Sequence, residues 1–113
     1  MGMDRDAVLA EIRSYLSEEF SMDSDEIAEM TALFLESLSS AAAKAGNALS
    51  ADDFEQLAAV GHSLKGSAAN IGASALSALG AGLDDAARSG DAALCAEKTA
   101  EIAEADAILN GGG

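Results

Sequence analysis

The chain has 113 residues, enough for one hydrophobic core and too few for a second. Six basic residues stand against twenty acidic ones, and the formal net charge of −14 opposes sequence-independent binding to nucleic-acid phosphates or to anionic membranes. Half of the residues are hydrophobic, only 4% are aromatic and none is proline, which favours closely packed helices of small side chains over strands; an all-α fold is expected.

The single Cys95 has no partner for an internal disulfide, and its place in an apolar helical pattern predicts a small buried hydrophobe. The opening Met-Gly-Met-Asp-Arg-Asp lacks a basic segment followed by an apolar run, and no stretch approaches the roughly eighteen apolar residues of a membrane span. A soluble cytoplasmic protein, monomeric and without membrane or nucleic-acid partners, is the expectation. One domain over residues 1–113 is expected to comprise an accessory first helix, a bundle over about 24–109 and a flexible tail at 110–113.

Leu9, Ile12, Leu16 and Phe20 recur at helical spacing and predict a first amphipathic helix over about 4–20. Ser21-Met-Asp-Ser breaks the pattern, and Asp23 followed by Glu26 resembles a capping box that starts a second helix. Its predicted stripe is Ile27, Met30, Phe34, Leu38, Ala41 and Ala45, and Gly46-Asn47 reads as its stop. Ser50 reads as the N-cap of a third helix, with Asp52 and Asp53 near its positive end.

Along the third helix Phe54, Leu57, Gly61, Leu64, Ala68 and Ile71 form the expected core stripe, and Gly72 its end. A fourth helix, over about 73–89, buries Leu76, Leu79, Leu83 and Ala86 or Ala87, with Gly80 and Gly82 suited to close helix approach. Gly90-Asp91 marks a stop and a new N-cap; the fifth helix turns Cys95, Ile102, Ala105 and Leu109 inward and Glu97, Lys98, Glu101 and Glu104 mostly outward. Short connections favour antiparallel neighbours, so the four longer helices are expected to form an up-down-up-down bundle with the first helix capping one end.

His62, the only histidine, lies one residue off the core stripe. One residue rotates a side chain by about 100° around a helix, which sets His62 at the border of the buried face. Lys65 and Gly66 follow about one turn later on the same side. A neutral imidazole is a capable nucleophile that can accept and release a phosphoryl group. An ammonium one turn away can balance phosphoryl charge, and a glycine removes a side chain that would obstruct an incoming active site.

His62-Ser-Leu-Lys-Gly-Ser-Ala68, continued by Asn70-Ile-Gly-Ala73 and by Leu83-Asp-Asp-Ala-Ala-Arg-Ser-Gly-Asp91, resembles the motif of the histidine-containing phosphotransfer (HPt) domains of two-component phosphorelays. The resemblance is specific over about 54–91 and generic elsewhere. It implies a four-helix bundle with an accessory N-terminal helix, in which His62 is the phosphoacceptor, Lys65 the cation and Gly66 the residue that admits a receiver domain. Asp84 falls where family members place a glutamine or an acid able to hydrogen-bond the histidine region. The implied partners are receiver domains of response regulators or hybrid histidine kinases, which would supply Mg²⁺; this chain would bind no cofactor of its own and no ATP. Ala58, Ala59, Ser67, Ala69 and Ala73 are the expected contact residues around the histidine.

Other readings of the same residues remain. A helical adaptor could keep the fold and bind a signalling partner without accepting phosphate. A bundle metal enzyme fares badly, since Ala59 stands where Glu-x-x-His needs its glutamate and no second histidine exists. A kinase phosphoacceptor helix pair would want a glutamate after the histidine and a nearby proline, and neither is present.

Overall fold

The structure is a computed structural model, and it describes residues 3–111. Those residues form five α-helices and no strand: α1 (Arg5–Phe20), α2 (Ser24–Ser50), α3 (Phe54–Ile71), α4 (Ser74–Arg88) and α5 (Ala92–Asp106), the last continued by a π-helical turn, Ala107–Gly111. They pack as a helical bundle with extents of 42 × 28 × 22 Å. None of the described helices is long and apolar enough to cross a membrane.

The helix starts follow short acidic side chains. Asp4, Asp53 and Asp91 each accept from backbone N–H groups of the first turn they open, and Asp23 with Glu26 makes a reciprocal capping box, both hydrogen bonds at 2.9 Å. These caps satisfy donors that a helix leaves free and set negative charge at the positive end of its dipole. The third helix is thus capped by Asp53, three residues beyond the expected Ser50, which instead ends α2.

The helix ends show why α2 ran past its expected stop. Gly46 and Asn47 lie inside α2, because Ala45 and Ala48 on either side of them are buried in the core. That burial outweighs the roughly 1 kcal/mol that an interior glycine costs. The chain turns at Asp52 instead, at φ 54°, where Asp53 N–H donates to Ala48 O at 2.9 Å and Asp52 N–H to Leu49 O at 3.1 Å. This is a Schellman closure, with an aspartate in the left-handed position that glycine usually takes. Gly72 makes the same closure at the end of α3, at φ 80°. The residue after it, Ala73, drops onto Ala68 as such closures favour, and both are buried.

The core runs through all five helices and is built largely of leucine, isoleucine and alanine, with Ile12, Leu38, Leu57, Leu76, Leu83 and Ile102 fully enclosed. Cys95, Ala105 and Leu109 point inward as expected. Two expected core residues do not. Phe20, at the last turn of α1, is 55% exposed and packs edge-on against Tyr15, while Val8 takes the buried place at the other end of that helix. Met30 is 40% exposed beside the exposed Leu33, so the α2 stripe begins in earnest at Phe34. Ile27, Leu79 and Phe54 are half-buried against the core, and Leu9 of α1 is half-buried. At the C-terminal end Asn110, expected to fray, is tied by its side-chain amide to Leu35 O and Asp106 Oδ1, both at 2.8 Å; Gly112 and Gly113 lie outside the described residues.

The contact that positions the functional region lies between α3 and α4. A Cβ on Gly61 would come within 2.5 Å of Asp84 N and 2.6 Å of Gly80 O, and one on Gly80 within 2.5 Å of Lys65 N. The two helices therefore touch backbone to backbone, with residue 61 facing 84 and residue 65 facing 80 as they run in opposite directions. Ser77 Oγ adds a cross-helix hydrogen bond to Lys65 O at 3.0 Å. Gly82 does not share this contact; a Cβ there would meet the flexible stem of Lys98 at 3.2 Å.

These differences set opposite outcomes for two alanine substitutions. Gly61→Ala forces α3 and α4 apart and should lower stability by about 2 kcal/mol. Gly46→Ala meets nothing within 4 Å and should raise it by about 0.5–1 kcal/mol. Urea midpoints at unchanged slope measure both.

Candidate functional site

His62 leaves α3 beside the Gly61–Gly80 contact, and its side chain is 69% exposed. The ring does not hang free. Its Nδ1 lies 3.5 Å from Asp84 Oδ2, longer than an ordinary N–H···O hydrogen bond but close enough for a charge contact, on a carboxylate only 10% exposed. Asp84 can come this close despite its short side chain because its own backbone N–H sits against Gly61. With Nδ1 turned toward the carboxylate, the other ring nitrogen, Nε2, is the one left for an incoming group.

The second oxygen of Asp84 is also taken. Arg88 Nε donates to Oδ1 at 2.6 Å from one helical turn further along α4, so the acid bridges an imidazole and a guanidinium. That hydrogen bond, against the opposing effect of burial, holds the Asp84 carboxyl below its ordinary range, with a smaller contribution from His62. The same pair pushes the Arg88 guanidinium up. Sequence reading did not give Arg88 a role, although an acid four residues before an arginine on a predicted helix is a recognisable pairing signal.

On the far side of His62, Lys65 is exposed and makes no ion pair among the described residues, while its carbonyl is held by Ser77. Gly66 is exposed, and a Cβ there would meet nothing within 4 Å. Its bare backbone therefore serves no packing need of this chain. On the near side, a shallow concavity of about 430 Å³ is lined by Phe54, Glu55, Ala58, Ala59 and Ala87 together with His62 and Arg88.

Of the expected contact residues, Ala59 and Ala69 are exposed and Ala58 and Ser67 half-exposed. Ser67 Oγ turns back to Leu64 O at 3.3 Å. Ala73 is a correction: only 1% exposed, it is drawn into the core by the Schellman closure at Gly72 and offers no surface to a partner.

The family model of the Hpt domain matches residues 29–111, which include α3, α4 and all of the geometry above. The chain belongs to the Hpt domain family. No curated protein and no solved structure gave a match. Hpt domains act with receiver domains in the phosphotransfer steps of two-component phosphorelays, and this Hpt domain carries its exposed histidine within the matched region.

Stability should report the charge on Asp84. An unfolded aspartate titrates near about 3.9, and in the folded Hpt domain the value is lower. The group therefore contributes stability that is fully present above the unfolded value and is lost as the pH falls through the folded one. Wild type should exceed Asp84→Asn in unfolding free energy near neutral pH, and the gap should close as the pH drops below about 4. Denaturant midpoints over a pH series measure this, and a gap independent of pH would count against the carboxylate's charge.

Proposed function

We propose that this chain is a phosphorelay shuttle in which His62 accepts a phosphoryl group from the phosphoaspartate of one receiver domain and passes it to the aspartate of another. The observation that carries the reading is an exposed imidazole whose Nδ1 faces a buried carboxylate, inside the segment matched by the family. In this reading α2 to α5 form an up-down-up-down antiparallel four-helix bundle to which α1 is an accessory, over one cytoplasmic, monomeric domain spanning residues 1–113.

The Nε2 lone pair attacks phosphorus as the P–O bond to the donor carboxylate breaks, and the carboxylate leaves with that bond's electron pair. The Nδ1 proton stays on the ring, which becomes cationic, and Asp84 faces the developing charge; the return step reverses the sequence. The Lys65 ammonium balances charge on the transferring group, and the receiver supplies the acidic pocket and the Mg²⁺. Ala58, Ala59, Ala69 and Ser67 supply small contact surface around the ring, and the open backbone at Gly66 lets the receiver's active site approach.

Incubation with a phosphorylated receiver should label the wild type with acid-labile, base-stable phosphate and leave His62→Gln unlabelled. Binding without any label on the wild type would instead make the chain a helical adaptor.

Gly66→Leu should retain the helical content of the wild type and unfold at no lower a midpoint, since the added side chain meets open space and replaces a helix-interior glycine, yet lose transfer by tenfold or more, about 1.4 kcal/mol of barrier. Time courses of label transfer, with unfolding curves on the same samples, test this; wild-type rates would remove the steric role of that glycine.

A further inference from the structure

We infer that Arg88 is a positioning residue for the phosphoacceptor, acting through Asp84 to hold His62 as the Nδ1–H tautomer with Nε2 free. The inference rests on the proposed shuttle reading for its consequence in transfer, but its structural content concerns the unphosphorylated chain alone.

A carboxylate with two oxygens and a nearby imidazole can rotate, leaving Nδ1 without a fixed acceptor. Here Oδ1 is engaged by the Arg88 Nε hydrogen bond at 2.6 Å, and the oxygen left over, Oδ2, is the one at 3.5 Å from His62 Nδ1. The guanidinium thus fixes the rotation of the carboxylate as well as neutralising it. A rigid planar donor suits this task, since one fixed N–H defines both the distance and the plane of the acid it holds. Asp84 is nearly enclosed, so an unpaired charge there would be costly, and no other cation pairs with it among the described residues. The backbone of Asp84 is pinned against Gly61, so the side-chain rotation is the remaining freedom that decides where Oδ2 points.

Arg88 itself is two-thirds exposed at the last turn of α4, where its charge also suits the helix dipole. Its removal therefore opens no cavity in the core but leaves the Asp84 carboxylate without its guanidinium, whereas Arg88→Lys preserves the charge while losing the planar donor.

The test has two readouts. In ¹⁵N-labelled unphosphorylated protein, at a pH where the ring is neutral, imidazole nitrogen shifts give the tautomer: wild type should show Nδ1–H predominating, Arg88→Ala a mixture and Arg88→Lys an intermediate state. In transfer from a phosphorylated receiver, Arg88→Ala should slow labelling about tenfold in the wild-type background and leave it unchanged in the Asp84→Asn background, as a residue acting through another must in a double-mutant cycle. An unchanged tautomer in Arg88→Ala overturns the inference, and so does an equal loss of rate in both backgrounds, which would make Arg88 act on the phosphoryl group directly. Failure of the wild type to accept label overturns the shuttle reading instead, and the tautomer measurement still decides the role of Arg88.

Discussion

The backbone contact between α3 and α4 at Gly61 and Gly80 is the constraint on which the site depends. With any larger residue at either position a Cβ would fall within 3 Å of main-chain atoms of the facing helix, and the two helices would have to separate. Separation would move Asp84 away from His62, since the amide of the acid is itself one of the atoms against Gly61. Longer side chains could tolerate such a shift by extending. An aspartate has only one methylene, so its reach to the histidine is set by how closely two backbones can pack.

The same contact makes an expensive charge usable. A carboxylate as enclosed as Asp84 loses much of its hydration, and it remains ionised because a guanidinium and an imidazole face its two oxygens. In a chain carrying a net charge of −14, an acid could otherwise lie on the surface at no cost, so a buried one beside the only histidine is a specific arrangement. A carboxylate already oriented toward the ring needs little rearrangement when the ring gains positive charge on phosphorylation, the circumstance in which fixed electrostatics are most effective.

Much of this was legible in the residue pattern, and the parts that were not share a cause. The all-helical fold, the capping box at Asp23, the αL end at Gly72 and the cap at Asp91 follow from local chemistry that tertiary packing leaves alone. The expected stop at Gly46-Asn47 failed because Ala45 and Ala48 have core neighbours that a one-dimensional pattern does not reveal. Phe20 and Met30 fit their apolar stripes by spacing and are exposed all the same, Phe20 at the last turn of α1 and Met30 beside the exposed Leu33 of α2. Ala73 looked like surface beside the motif and is buried because the backbone reverses just before it. At the site, His62, Lys65 and Gly66 were legible as a motif on one helix, whereas the bridge through Asp84 to Arg88 depends on how two helices cross.

The glycines of α3 separate what composition alone merges. Each stands in or at the end of a helical stretch where alanine has the higher intrinsic propensity, and from the sequence each could be a packing device, a point of access or a terminator. Asking what a Cβ would touch divides them: at Gly61 it meets the backbone of α4, at Gly72 it meets Tyr15 in a left-handed conformation, and at Gly66 it meets nothing. Gly61 and Gly72 are therefore accounted for by this fold. Gly66 is not, because an alanine there would lengthen no contact and strain no torsion within the chain. A glycine whose absent side chain relieves nothing inside the molecule is explained by something that approaches from outside, and it lies one turn from the imidazole that such a partner would have to reach.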